Sequence, residues 1–321
     1  MSVDIQPQSE VSPFEGGQPG VSEAKSGLAV RSGGDTWLPP VPVVLQYVNE
    51  PLLFAPLYDR CIDSGAVGDV CVPILECHKV SMSFGAFSAI REVSFALNGG
   101  EILGMIGPNG AGKTTLFNCI IGVHHPWGGR IIFNGADITA MKPHKICRLG
   151  LAKTSQIMEP FRTMTVFENV LVGALHGGQM NMRPAREQAA QVIEFLGLKD
   201  ESDKLSASLS VPARRRLELA RALATGAKVL LLDENMAGLN PHEIDGALAL
   251  LQKIRDSGCS LIVVEHIMRA VMGISDRIIV LNYGAKIAEG TPREVAENPQ
   301  VIEAYLGERR QSICTPTVCR E

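Results

Sequence analysis

Two groups of residues in this chain have types and spacing suited to phosphate chemistry. Gly107 to Thr114 read G-P-N-G-A-G-K-T, a match to G-x-x-x-x-G-K-[ST]. Glycines let a backbone fold around an anion with its N–H groups turned inward, and a helix starting at the lysine adds its positive end. Gly107, Pro108, Asn109, Gly110, Ala111 and Gly112 then form the cradle, with Thr115 just beyond it. Lys113 reaches the terminal phosphates of a nucleoside triphosphate and Thr114 offers a hydroxyl to Mg²⁺. At average composition, on the order of 0.01 such matches arise by chance in a chain this long. The second group is V-L-L-L-D-E, Val229 to Glu234, an apolar run ending in two carboxylates. Asp233 suits Mg²⁺, directly or through water, and Glu234 suits a general base for an attacking water.

Both groups need strands to carry them. Strand-like runs occur at Ile74–Val80, Val93–Leu97, Ile102–Ile106, Ile131–Phe133, Val229–Leu232, Leu261–Val264, Ile278–Leu281 and Lys286–Ala288. The runs before Asp233 and Glu265 are continuously apolar, as in central strands covered on both faces. Helical stretches alternate with many of them, which predicts an α/β fold with a largely parallel sheet. A helix is expected from Lys113 onward, following the strand Ile102–Ile106. Another is expected after Asn240, with that residue as cap, Pro241 in the first position and Ile244, Leu248 and Leu251 on one face. From about Glu159 to Gly226 the pattern is helical, with segments at Pro184–Leu196 and Ala213–Thr225 and no clear strand, so it reads as a helical insertion.

Composition narrows the function class. Net charge is −4, with 30 basic and 34 acidic residues, which gives no electrostatic reason to expect a nucleic-acid partner. No apolar run reaches the roughly 18–20 residues that span a bilayer, and M-S-V-D-I-Q-P-Q lacks the features of a signal peptide. The chain is expected in the cytosol, and any work at a membrane requires a partner that spans it. The 8 cysteines form no zinc-like spacing; Cys119 and Cys259 read as small buried hydrophobes, and Cys314 and Cys319 sit in a polar tail. Residues 1–40 are rich in Gly, Ser, Pro and Glu and read as disordered, and residues 41–72 as an apolar arm or short helix without an assignable role.

From Leu75 to Glu308 the chain resembles the ATPases of ABC transporters, and most of all those of branched-chain amino-acid (Liv-type) importers. The carrying segments are F-G-A-F-S-A-I, G-P-N-G-A-G-K-T-T-L-F-N, P-F-R-T-M-T-V-F-E-N-V, R-L-E-L-A-R-A-L-A, M-A-G-L-N-P, V-V-E-H-I-M and E-N-P-Q-V-I-E-A-Y-L-G. The resemblance implies a P-loop NTPase (RecA-like) cassette over residues 73–311, with an antiparallel β subdomain and a helical subdomain inserted at about 157–226, followed by a tail at 312–321. It also implies ATP with Mg²⁺, permease subunits in the membrane, a second cassette, indirectly a substrate-binding protein, and a peripheral place on the cytoplasmic face of the inner membrane. By position, Phe84 matches the aromatic that stacks on adenine, with Phe87 as competitor. Gln156 matches the glutamine that senses Mg²⁺ and the attacking water, and His266 the histidine that contacts the γ-phosphate. Ala237 to Asn240 match the loop that crosses to the second cassette, with Asn240 where many relatives have Asp.

One segment departs from the family pattern. The signature L-S-G-G-Q or L-S-x-G-Q is here L-S-V-P-A, Leu209 to Ala213. Ser210 is kept, but Pro212 has no N–H to give to a phosphate on the opposite cassette, a contact worth roughly 1.5–3 kcal/mol. This predicts pairing with a different cassette whose signature is intact. Rival readings are a regulatory cassette of low turnover and a soluble ABC ATPase of repair or translation. Lys113, Asp233, Glu234 and His266 weigh against the first, and the lack of an inserted coiled coil or second cassette against the second. A guanine-type N-K-x-D motif is missing.

Overall fold

The computed structural model describes residues 72–154 and 160–311. The expectations for the N-terminal stretch, for Gln156 and for the tail from 312 lie outside these residues. Along the chain come β1 (Leu75–Phe84), β2 (Phe87–Leu97), β3 (Ile102–Ile106), α1 (Lys113–Ile120), β4 (Gly128–Phe133), β5 (Ala136–Asp137), α2 (Pro143–Leu149) and β6 (Leu151–Lys153). There follow α3 (Val166–His176), α4 (Met182–Phe195), α5 (Val211–Leu223), β7 (Val229–Asp233), α6 (Pro241–Asp256) and β8 (Ser260–Val264). The last elements are α7 (Met268–Ile274), β9 (Arg277–Asn282), β10 (Ala285–Gly290), α8 (Pro292–Glu297) and α9 (Pro299–Gln311).

Two sheets result. The larger has the order β10-β9-β3-β8-β7-β6. Its ladders β9–β3, β3–β8, β8–β7 and β7–β6 are parallel, and only β10 runs antiparallel. The smaller, β2-β1-β4-β5, is antiparallel throughout. The apolar runs read as central strands are so: every residue of β3, β7 and β8 is buried. The side chains of β7 and β8 alternate between two cores, as the strand period of two requires. Leu230, Leu232, Leu261 and Val263 join the core that holds Val170, Ile193 and Leu217 of the helical stretch. Leu103, Met105, Leu231, Ile262 and Val264 join Phe117 of α1 and Leu75, Ile90 and Phe133 of the antiparallel sheet.

The strands β3, β7, β8, β9 and β10 match the sequence expectation to within one or two residues at each end. The chain from 160 to 226 contains no strand among the described residues, only an isolated bridge between Thr165 and Leu205. Asn240 caps α6 through a reciprocal box with Glu243, and Pro241 occupies the first turn. The structure adds α2, α3, α7, α8 and α9 and the short strands β5 and β6, which were not singled out in the sequence. Both β5 and β6 are too short for a period to show, and they exist because a neighbouring strand supplies hydrogen bonds. Cys119 and Cys259 are buried as expected, and burial raises the Cys259 thiol to about 12.

Candidate active site

The phosphate loop connects β3 to α1, and its three glycines are required for different reasons. Gly107 has φ +152°, and a Cβ there would lie 2.1 Å from the carbonyl oxygen of Leu281. Gly112, the N-cap of α1, has φ +100° and would meet the carbonyl oxygen of Ala89 at 2.6 Å. Gly110, at φ +77°, faces open space, so backbone conformation alone demands glycine. Lys113 is buried, and its Nζ donates to the carbonyl oxygens of Gly107 and Pro108 at 2.6 and 2.9 Å. The lysine thereby ties the loop closed over its own ammonium.

A cavity of about 230 Å³ opens on this loop. Asn109 to Thr115 line it, together with Phe87, Ala89, Glu234 and His266. Residues read as two separate groups, and a histidine placed only by resemblance, therefore share one cavity. The sheet order explains this. β3, β8 and β7 are parallel neighbours, so their C-terminal ends, carrying the phosphate loop, Glu265–His266 and Asp233–Glu234, lie along one edge. Glu234 has φ +51°, a left-handed conformation rare for a side chain other than glycine, and its N–H bonds to the carbonyl of Val264. Its Oε1 lies 2.6 Å from His266 Nε2.

Asp233 is the buried member of the acidic pair, 1% exposed. Among the described residues neither of its carboxylate oxygens has a hydrogen bond, although Lys153 Nζ lies 3.1 Å from Oδ2 as an ion-pair partner. A desolvated carboxylate with open lone pairs and the Thr114 hydroxyl are hard oxygen donors, and they fit Mg²⁺. Glu265 is also buried, and its Oε1 accepts the Met236 N–H at 2.7 Å. Burial pushes its carboxyl up to about 7; the Met236 bond opposes this and the charge of Glu234 adds to it. Neither Lys153 nor Glu265 stood out in the sequence, because nothing in their local pattern marks a lysine or glutamate that tertiary contacts will bury.

Of the expected aromatic and signature residues, Phe87 lines this cavity, and Phe84 and Ser210 do not. Phe84 and Phe87 face each other across the β1–β2 register. Phe84 is about half exposed, and its ring stands edge-on to His124 with centroids 5.2 Å apart. Ser210 is not among the residues lining the Lys113 cavity. It caps α5, its hydroxyl accepting the Ala213 N–H at 3.4 Å, with Pro212 in the first turn. From α5, Arg215 reaches the carbonyl oxygen of Ala237 at 3.1 Å and so braces the loop that leads to Asn240.

Comparisons with known proteins identify the family. The family profile described as ABC transporter matches residues 90–237. A second, described as branched-chain amino acid ATP-binding cassette transporter, matches residues 285–310. The high-affinity branched-chain amino acid transport ATP-binding protein BraF of Pseudomonas aeruginosa is 40% identical over 251 residues, covering 74% of this chain and 98% of that protein. LivG of Escherichia coli, described in the same words, is 39% identical over the same shares. A solved ATP-binding cassette of an ABC transporter in its ADP conformation superposes with a TM-score of 0.68 at 31% identity, covering 74% of this chain and 99% of that one. Among the described residues no helix is long and apolar enough to cross a membrane. The chain belongs to the ABC-transporter family as one of its ATP-binding cassettes, a family of ATPases.

Proposed function

We propose that this chain is the ATP-hydrolysing subunit of an importer for branched-chain or related amino acids, acting on the cytoplasmic face of the inner membrane through separate permease subunits. The single observation that carries the catalytic part is the shared cavity of the phosphate loop, Glu234 and His266. The substrate class rests on the names of the relatives, BraF and LivG.

In this reading the loop from Gly107 to Gly112 and the start of α1 cradle the phosphates, and Lys113 neutralises the terminal ones. Thr114 and Asp233 hold Mg²⁺, which when bound offsets phosphate charge. Glu234 takes a proton from the attacking water, and His266, within hydrogen-bond reach of Glu234, orients that carboxylate and faces the γ-phosphate. Phe84 stacks on adenine, with Phe87 walling the cavity beside it. Gln156 is carried over by resemblance as the sensor of Mg²⁺ and water.

Partners follow from two surfaces. A cavity of about 400 Å³ lies between α2 and β6 on one side and α3 and α5 on the other, with Cys147, Leu151, Phe161, Val172 and Arg221 among its walls. It is the place proposed for a permease segment, because motion between the two sides would move anything seated there. The second partner is another cassette. An intact helix start offers N–H groups to a phosphate. In α5, Pro212 has none and the Ala213 N–H is taken by Ser210. This chain therefore contributes little across the dimer, which favours a partner cassette of different sequence. A substrate-binding protein completes the importer indirectly.

The test is ATPase activity of a membrane complex purified through this chain, compared with its Glu234→Gln form, with mass spectrometry of the subunits. Loss of turnover with retained ATP binding, alongside permeases and a second cassette, supports the reading. Unchanged turnover makes this a regulatory cassette. Two copies of this chain without another ATPase overturn the unequal pairing.

A further inference from the structure

Lys153 ends β6, and the proposed function gives it no role. Its Nζ is 3.1 Å from Asp233 Oδ2 and 3.2 Å from Asn118 Oδ1, and it lies over the Phe117 ring at 5.8 Å. Its side chain is 14% exposed and that of Asp233 1%, so water screens the pair poorly. Asn118 follows Thr114 by one helical turn on α1, which puts both on the same face of that helix. The Lys153 ammonium is thus held between the Asp233 carboxylate and the helix face that carries Thr114. The backbone tightens the link. Thr154 donates its N–H to the carbonyl of Leu231 at 2.9 Å, and its hydroxyl accepts the Asp233 N–H at 3.4 Å. Chain positions 153 and 154 therefore follow the end of β7 closely.

We propose that Lys153 is an internal cation that holds the Asp233 carboxylate and gives it up when Mg²⁺ binds with nucleotide. The inference rests on the reading of Asp233 as the Mg²⁺ ligand. Two positive charges compete for one desolvated carboxylate, so the lysine weakens Mg²⁺ binding while keeping Asp233 from standing alone in the core. Displacement does not strand the ammonium. Asn118 Oδ1 and the face of Phe117 remain within its reach and satisfy a cation without a full charge of their own. Because Lys153 is the last residue of β6, its release changes the anchoring of the end of that strand. Lys153 is a positioning residue in this scheme.

The experiment titrates Mg²⁺ against the full chain at fixed ADP, reading ADP binding by calorimetry, for the unmodified protein, Lys153→Met and Lys153→Arg. The Mg²⁺ midpoint is expected to fall about tenfold in Lys153→Met and to stay within about twofold in Lys153→Arg, which keeps the charge. The thermal midpoint of Lys153→Met should drop without Mg²⁺ and recover most of the loss with Mg²⁺ and ADP. A purely structural lysine predicts equal drops in both conditions and an unmoved Mg²⁺ midpoint, and that result overturns the proposal. If Lys153→Met does not fold, reductive methylation of the unmodified chain is followed by mass spectrometry, with ADP in chelator or in Mg²⁺. Faster labelling of Lys153 with Mg²⁺ supports the exchange, and equal labelling overturns it. If Mg²⁺ has no effect on ADP binding even in the unmodified chain, the reading of Asp233 as its ligand falls, and the inference with it.

Discussion

Glu234 Oε1 and His266 Nε2 lie 2.6 Å apart although 32 residues separate them in the chain. Their strands, β7 and β8, are parallel neighbours, and each side chain leaves the sheet at the same edge. The left-handed backbone of Glu234, at φ +51°, costs about 1–3 kcal/mol in such positions and turns the carboxylate toward the loop. His266→Ala is therefore expected to reduce kcat by roughly 10²-fold or more, the range of a misplaced general base. ADP affinity should stay within about threefold, since the phosphate loop is intact. Steady-state ATPase assays paired with equilibrium binding check this, and an equal loss in both quantities would assign His266 to binding.

The aromatic pair at the β1–β2 turn separates stacking from wall-forming. Base–aromatic stacking is worth about 1–3 kcal/mol per base. Phe84→Ala is expected to weaken ADP binding about tenfold and Phe87→Ala by less, with kcat at saturating ATP unchanged in both. Calorimetry on the two variants decides, and the reverse order would hand the stacking role to Phe87, which lines the cavity.

Glu265 gives the fold a pH dependence of definite sign. Its carboxyl is raised from 4.5 to about 7, chiefly by burial. Between those values the folded chain keeps a proton that the unfolded chain has lost, so stability falls as pH rises through this window and levels off above it. Glu265→Gln keeps an oxygen for the Met236 N–H and removes the charge. It should gain roughly 1–3 kcal/mol relative to the unmodified chain at pH 8 and almost nothing at pH 4.5. Urea unfolding at the two pH values measures it, and an equal difference at both would show that the carboxyl does not titrate in this range.

Repairing the signature should raise turnover. Pro212→Gly with Ala213→Gln restores an N–H at the start of α5 and the amide side chain of the family pattern. A charge-assisted hydrogen bond of ~1.5–3 kcal/mol sets the ceiling, so a gain of about tenfold in ATPase of the purified complex is expected. No gain would mean that this face of the chain does not meet a nucleotide at all.

The candidate site residues were legible unevenly, for a physical reason. The phosphate loop and the acid-ended apolar strand are local patterns: glycine conformation, a helix start and an uninterrupted run of buried side chains each leave their mark within a few residues. Asn240 capping α6 was legible in the same way, since a cap and its helix are adjacent in the chain. β6 left no such mark, being three residues long and dependent on β7 for its hydrogen bonds. The lysine at its end reads in sequence as any surface cation.

By itself, then, the sequence determined the cradle around Lys113, the acidic pair, the α/β alternation and the loss of an N–H at Pro212. Only the tertiary structure decided that β8 lies between β3 and β7, and this order sets Glu234 against His266 in the cavity of the phosphate loop. It also decided that Lys153 faces Asp233 and that Glu265 is buried with a raised pKa. Local patterns follow from the geometry of adjacent residues. Strand order, and the desolvation of a charge by distant neighbours, follow from how the whole chain packs.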